Sequence, residues 1–163
     1  MSTTAGAPFD LLTGEELRAW RGMLRAHALL TKALDHQLEA EHGIPLTSYE
    51  VLMYLQDAPG HKMRMSELAS SVILSRSGLT RLVDRLERDG LIKRESCETD
   101  ARGQFAKLTG AGAEKVAAAR ATHLEGVRRL FLDVLTPEQH ERLGAIWDTV
   151  VPGAARAAGP PCD

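Results

Sequence analysis

Mainly apolar residues, with one His and one Thr among them, recur at alternating three- and four-residue steps through the first quarter of the chain. Leu17, Trp20, Leu24, His27, Thr31, Leu34 and Leu38 form this series, the seam of a helix that packs along its length. The pattern predicts a helix over 14–42, and about 28 residues at 1.5 Å each make a rod of roughly 42 Å. Such a rod exceeds what a small domain covers. Part of its seam is therefore expected to meet a partner chain, with a core helix of a monomer as the alternative.

Gly43 and Pro45 break the rod. Thr47-Ser48-Tyr49-Glu50 reads as a capping box, with Thr47 closing the helix start and Glu50 reaching back. The helix it opens runs to about Asp57 and buries Val51, Leu52 and Leu55, and Pro59-Gly60 ends it. Ser66 reads as the cap of a short helix, Glu67 to about Val72. Ile73-Leu74 forms the turn, and Ser75 caps a helix to Arg88 that Gly90 stops. Two short helices joined by a tight turn outline a helix-turn-helix. LIKRE and QFAKL then predict a two-stranded hairpin with the eight-residue tip SCETDARG, the position of a wing. A further helix, about Ala111 to Leu135, carries Val116, Ala119, His123, Val127, Leu130 and Val134 on one side. Thr136-Pro137-Glu138-Gln139 is a second capping box. It opens a helix expected to bury Leu143, Ile146, Trp147 and Val150 and to stop at Pro152.

Composition narrows the class. The 163 residues are 44% apolar and 26% charged with a net charge of −2, as in a soluble globular domain. The total charge does not suggest a polyanion partner, but its distribution does. From Lys62 to Lys107 the net charge is +3, and over the remainder it is −5. No apolar run reaches membrane-span length. The start, MSTTAGAPFD, lacks the basic and apolar parts of a signal peptide, and the expectation is a cytoplasmic protein. Cys97 and Cys162 form neither a disulfide framework nor a zinc pattern. His36, Glu39 and His42 approach ligand spacing, but that grouping is more often a solvated helix face; no metal or other cofactor is expected. TGAGAEK lacks the GK[ST] of a phosphate loop, and neither HExxH nor GxSxG occurs. An enzyme is not expected.

The remaining chemistry lies on the helix ending at Arg88. Ser77, Thr80, Arg81, Asp84 and Arg88 fall within about 80° of one another, opposite Leu79, Leu82, Val83 and Leu86. A helix of this width fits the DNA major groove, where arginine pairs with guanine and hydroxyls bond bases or phosphates. Arg76, near the helix start, suits a phosphate or base edge. Asp84 would repel phosphate and is expected to orient Arg88 or Arg81. Taken alone, the same face could equally be a solvated surface with i,i+4 pairs. The hairpin shifts the balance. Asp100 and Arg102 stand at its tip beside Gly103, and an arginine on a protruding hairpin can enter the narrow minor groove. Lys93, Arg94 and Lys107 on the strands can meet phosphates. With Ser66, Ser75 and Arg85, these complete the candidate DNA contacts.

MSELAS, LSRSGLTRLVDRLERDGLIKR, the D-A-R-G of the wing and the closing KLTGAG together resemble the MarR-type winged-helix transcriptional regulators, over roughly Leu17 to Val150. Where many relatives carry a further basic residue after the wing arginine, this chain has Gly103. The resemblance implies a mainly α fold with a small β-hairpin wing, and a two-fold homodimer built from the first and last helices. It implies a 46–110 DNA-binding lobe and a dimerisation region of 14–42 with 111–151, while the ends at 1–13 and the small, Pro/Gly-rich 152–163 are expected to be flexible. The helix from Ser75 to Arg88 would enter the major groove of a pseudo-palindromic double-stranded site, and Arg102 the minor groove. It further implies a repressor released by a small aromatic or lipophilic effector, with Trp20, His27, Tyr49 and Met53 lining the cleft. The alternatives are a redox response through Cys97, which Glu95 and Glu98 disfavour, and a helical dimer that binds a small molecule or protein without DNA.

Overall fold

The computed structural model of the chain describes residues 11–72, 76–97 and 100–158, without the side chains at 76, 97, 100–103 and 153–158. Its first helix, α1, spans Gly14–His42 as the apolar period requires. Thr13 and Glu16 close its start reciprocally: the Thr13 N–H donates to Glu16 Oε2 at 2.7 Å, and the Glu16 N–H to Thr13 Oγ1 at 3.2 Å. Gly43, at φ 66°, ends it in the left-handed conformation that a glycine adopts without steric cost. Only Leu38 of α1 is buried, with Leu34 packed partly behind it.

Helix α2, Leu46–Asp57, begins one residue before the expected cap, and no side chain of its own closes it. Its first N–H is satisfied from a distance, by Asp35 Oδ1 of α1 at 2.8 Å. The box expected at Thr47 and Glu50 therefore does not form. A turn at Pro59–His61 leads to a short strand, β1, Lys62–Arg64. Helix α3 is Met65–Ser71. The Arg64 N–H donates to the Glu67 carboxylate at 3.0 Å, so the helix closes ahead of Ser66, which lies inside its first turn. Helix α4, Arg76–Arg88, has the expected length. Its end is a Schellman turn: Leu91 N–H donates to Leu86 O, Gly90 N–H to Glu87 O, and Gly90 sits at φ 72°.

Strands β2, Ile92–Cys97, and β3, Asp100–Leu108, are longer than expected and leave only 98–99 between them. The wing is also a three-stranded antiparallel sheet, ordered β1-β3-β2, rather than a hairpin. Lys62 and Lys93 both lie opposite Lys107. β1 carries one apolar residue in three and is held by pairing, which local periodicity does not reveal.

Helix α5, Gly110–Val127, is closed by Thr109, whose Oγ1 accepts from Gly112 N–H at 3.0 Å and donates to Gly90 O at 2.7 Å. Gly112 permits this approach, since a Cβ there would lie 2.1 Å from Leu91 O. A π-turn, Arg128–Leu132, follows. Helix α6, Pro137–Ala158, opens on the expected box, Thr136 N–H to Gln139 Oε1 at 2.8 Å and Gln139 N–H to Thr136 Oγ1 at 3.3 Å. Pro152 does not stop it; the helix passes through at the cost of one backbone bond. Nor does α6 join the core. Leu143 is half-buried, while Ile146, Trp147 and Val150 are exposed.

The core lies between α2, α3, α4, the sheet and α5, around Tyr49, Leu52, Leu55, Leu68, Val83, Ile92 and Val116. Leu79, Leu82, Val83 and Leu86 anchor α4 in it with at most 5% exposure, each such side chain contributing about 1.5–3 kcal/mol.

Candidate nucleic-acid interface

Helix α4 has two faces because its leucines occupy one side of every turn. Opposite them Ser77, Thr80, Arg81, Asp84, Arg85 and Arg88 are exposed. Arg81 makes no ion pair among the described residues, so its guanidinium points outward as a forked donor suited to a base edge. Arg88 Nε donates to the Asp84 backbone carbonyl at 3.4 Å. Arg85 Nη2 donates at 3.2 Å to the hydroxyl of Ser48, which is buried in α2. Arg85 thereby braces α4 against the core.

Arg94 departs from expectation. Its guanidinium is paired rather than turned to a phosphate, with Nη2 on Asp84 Oδ1 and Nη1 on Glu87 Oε2, each at 2.5 Å. Its backbone N–H donates to Glu87 Oε1 at 3.0 Å. Burial lowers the Arg94 pKa, but the hydrogen bonds and charges of Asp84 and Glu87 outweigh it and raise the value overall. Asp84 consequently holds the wing arginine, not Arg81, and it meets Arg88 only through its own carbonyl. Lys93 and Lys107 both reach Glu95, at 3.0 and 3.5 Å. The hydrogen bond from Lys93, with the charges of both lysines, keeps the Glu95 carboxyl below its ordinary range.

Ser66 is exposed on α3, and its carbonyl accepts from Ser70 Oγ at 3.0 Å. Ser75 lies outside the described residues. Arg76 opens α4, and Arg102 and Cys97 belong to strands rather than to a loop tip, but their side chains lie outside the description. Two cations were not anticipated. Lys62 and Arg64 of β1 stand 5.2 and 5.3 Å from the Phe105 ring centroid, on the sheet face that carries Lys93 and Lys107. The basic alternation of K-M-R is the trace they leave in the sequence.

The four residues expected to line an effector cleft do not form one wall. Tyr49 is 1% exposed and packs on His123, with ring centroids 4.7 Å apart. Met53 is half-buried, His27 exposed and Trp20 53% exposed. Burial raises the pKa of Glu50 on α2, and the charge of His27 partly offsets the rise, so these two groups are neighbours. Burial lowers the pKa of His123, whose Nδ1 has no partner among the described residues. A shallow trough of about 420 Å³ runs along Gly14, Leu17, Arg18, Arg21, Gly22 and Arg25 and includes none of the four. Among the described residues no group of acidic, His and Cys side chains could hold a metal ion. His42 instead bonds Thr122 Oγ1 at 2.8 Å. No described helix is long and apolar enough to cross a membrane.

Comparison with known proteins agrees with this geometry. The MarR family model matches residues 42–103, from the end of α1 to the middle of β3. Sco3205 of Streptomyces coelicolor, a MarR family transcriptional regulator solved in complex with DNA, is 42% identical with a TM-score of 0.83, over 87% of this chain and 89% of that one. AbsC of the same organism, also a MarR family transcriptional regulator, is 38% identical with a TM-score of 0.81, over 91% and 97% of the two chains. The transcriptional regulator HosA of Escherichia coli is 31% identical over 118 residues, 71% of this chain and 85% of HosA. The transcriptional repressor MprA of Escherichia coli K12 is 27% identical over 136 residues, 83% and 68% of the two. With these identities over most of both chains, and a winged helix-turn-helix in place, the chain belongs to the MarR family of transcriptional regulators.

Proposed function

We propose that the protein is a homodimeric, sequence-specific repressor, working in the cytoplasm on a pseudo-palindromic double-stranded DNA site and released by a small aromatic or lipophilic ligand. The observation that carries the DNA reading is α4 itself: four buried apolar anchors on one face, and Ser77, Thr80 and the outward Arg81 on the other. Sco3205, 42% identical, was solved in complex with DNA, and MprA is named a repressor. Ser77, Thr80 and Arg81 read base edges in the major groove, and Arg88 with the first backbone N–H groups of α4 holds phosphates. Arg102, on the strand leaving the wing tip, enters the minor groove.

Homodimerisation follows from apolar surface left outside the core at both ends of the chain, Trp20 and Leu24 on α1 and Ile146, Trp147 and Val150 on α6. Two α4 helices must then stand about one turn of DNA apart, roughly 34 Å, to meet both half-sites. The effector site we place between α1 and α2, where His27 neighbours the partly buried Glu50, one helical turn from Met53 on α2. A ligand there favours a spacing that misses the half-sites, and by linkage it binds the free dimer better than the DNA-bound one.

The decisive experiment selects genomic fragments from the source organism with the purified protein, then screens small molecules for release. The expected outcome is an inverted-repeat site freed by aromatic or lipophilic anions. Failure to select any site would sink the DNA reading, and release by oxidants alone would move the trigger to Cys97.

A further inference from the structure

Asp84 and Glu87 are acidic residues on the helix that reads DNA, beside arginines that would meet phosphate. As solvated side chains they would only oppose binding, because like charge repels the backbone along the whole approach. They are not simply solvated. Three residues apart, they share the side of α4 that faces β2. Glu87 divides its oxygens between the Arg94 backbone N–H, at 3.0 Å, and Nη1, at 2.5 Å, while Asp84 takes Nη2. One wing residue thus makes three bonds to one helix, and its side chain is 23% exposed.

The position of Arg94 gives these bonds a mechanical meaning. The root of the wing is already fixed at the Gly90 turn, by Leu91 N–H on Leu86 O and by Thr109 Oγ1 on Gly90 O. A single fixed root leaves a strand free to pivot. Arg94 lies two residues beyond Ile92 on the same face of β2. It is the outermost β2 residue whose side chain bonds α4 among the described residues. A second tie away from the root removes the pivot. On its other flank α4 is held to α2 by Arg85 and Ser48.

We propose that Arg94 is a positioning residue: clasped by Asp84 and Glu87, it sets the wing at a fixed angle to α4, so that two negative charges on a DNA-binding surface increase selectivity. The proposal rests on the DNA reading above and inverts the electrostatic expectation. Simple charge counting has the D84N/E87Q double variant bind every duplex more tightly. The clasp has it bind random duplex as well or better, while its preference for the sequence selected by the wild-type protein falls about tenfold. Loss of folded protein alone would not raise random-duplex binding, so the ratio separates positioning from stability. R94Q should lose the same preference. R94K, which keeps the charge but replaces the planar fork and its two separate nitrogens with a single flexible ammonium, should recover little of it.

The test pairs duplex-binding isotherms over a salt series with amide hydrogen exchange on the full-length protein. In D84N/E87Q and in R94Q, amides of 92–97 and 104–108 should exchange faster while those of 46–57 stay unchanged. The proposal is overturned if D84N/E87Q keeps full preference and R94Q lowers the salt slope by about one, the signature of a phosphate contact. It is equally overturned if wing exchange does not change. Should the wild type select no sequence, the DNA reading fails by itself, and exchange still decides whether the clasp holds the wing.

Discussion

Arg81 and Arg94 lie within one lobe and carry the same charge, yet their surroundings differ. Arg81 projects from α4 with no ion pair among the described residues, whereas Arg94 is spent on Asp84 and Glu87. Arg81→Ala should therefore weaken specific binding by roughly 1–3 kcal/mol if it pairs with a base, and relax the preference at one position per half-site. A titration showing unchanged affinity and preference would remove Arg81 from the readers. His123 carries a second residue-scale prediction. Burial against Tyr49 lowers its pKa from the ordinary 6.5. The folded state thus resists a proton that the unfolded chain accepts. The sign follows: stability is full above 6.5 and declines as pH falls below it, until the depressed folded value is passed. Urea midpoints at about pH 8 and about pH 5 should differ less in His123→Phe than in the wild type. An identical acid loss in both would place the titration elsewhere.

At the scale of elements, tight contacts fall where chain segments distant in sequence meet, and Gly112 marks one. Its missing side chain lets the start of α5 lie on Leu91, with an added Cβ only 2.1 Å from the backbone oxygen. A backbone oxygen cannot rotate aside as a side chain does. Gly112→Ala should cost about 1–3 kcal/mol or more, read as a lower denaturation midpoint, and Gly144→Ala, with open space around it, should cost far less. Equal effects would deny the contact. The same division explains what could be read from the sequence. The bounds of α1 and α4, the stop at Gly90 and the box at Thr136 depend on residues within one helix, and the apolar period carries them. The Asp35 cap on α2, the strand β1 and the Arg94 clasp each join segments separated by 7 to 45 positions in the chain. No local pattern encodes which partner a charge will find. Ser66 and Thr47 failed as caps for this reason: Arg64 with Glu67, and Asp35, had already closed those helices. Pro152 misled because a proline forbids one backbone bond, not a helix.

At the scale of the whole molecule, helices α1 and α6 each carry exposed apolar side chains among the described residues. Trp20 is 53% and Leu24 48% exposed on α1; on α6 Ile146 is 51%, Trp147 36% and Val150 45% exposed. None belongs to the core, so one of them can be changed without disturbing the lobe. In the homodimer proposed above, a two-fold partner would cover both helices in a single isologous contact, and sedimentation equilibrium should then give twice the 17.8 kDa chain mass. Trp147→Glu would place a charge in that proposed contact. It should yield a monomer with an unchanged helical circular dichroism spectrum. Each lobe would then bind a half-site alone, and losing the second, tethered half should weaken operator binding about 10²-fold or more. Random-duplex binding, which needs no spacing between lobes, should fall much less. A monomeric Trp147→Glu that kept full operator affinity would show that one lobe suffices. Release by a ligand acting on the spacing of the two α4 helices would then have no physical basis, because spacing constrains only a protein that must meet both half-sites at once.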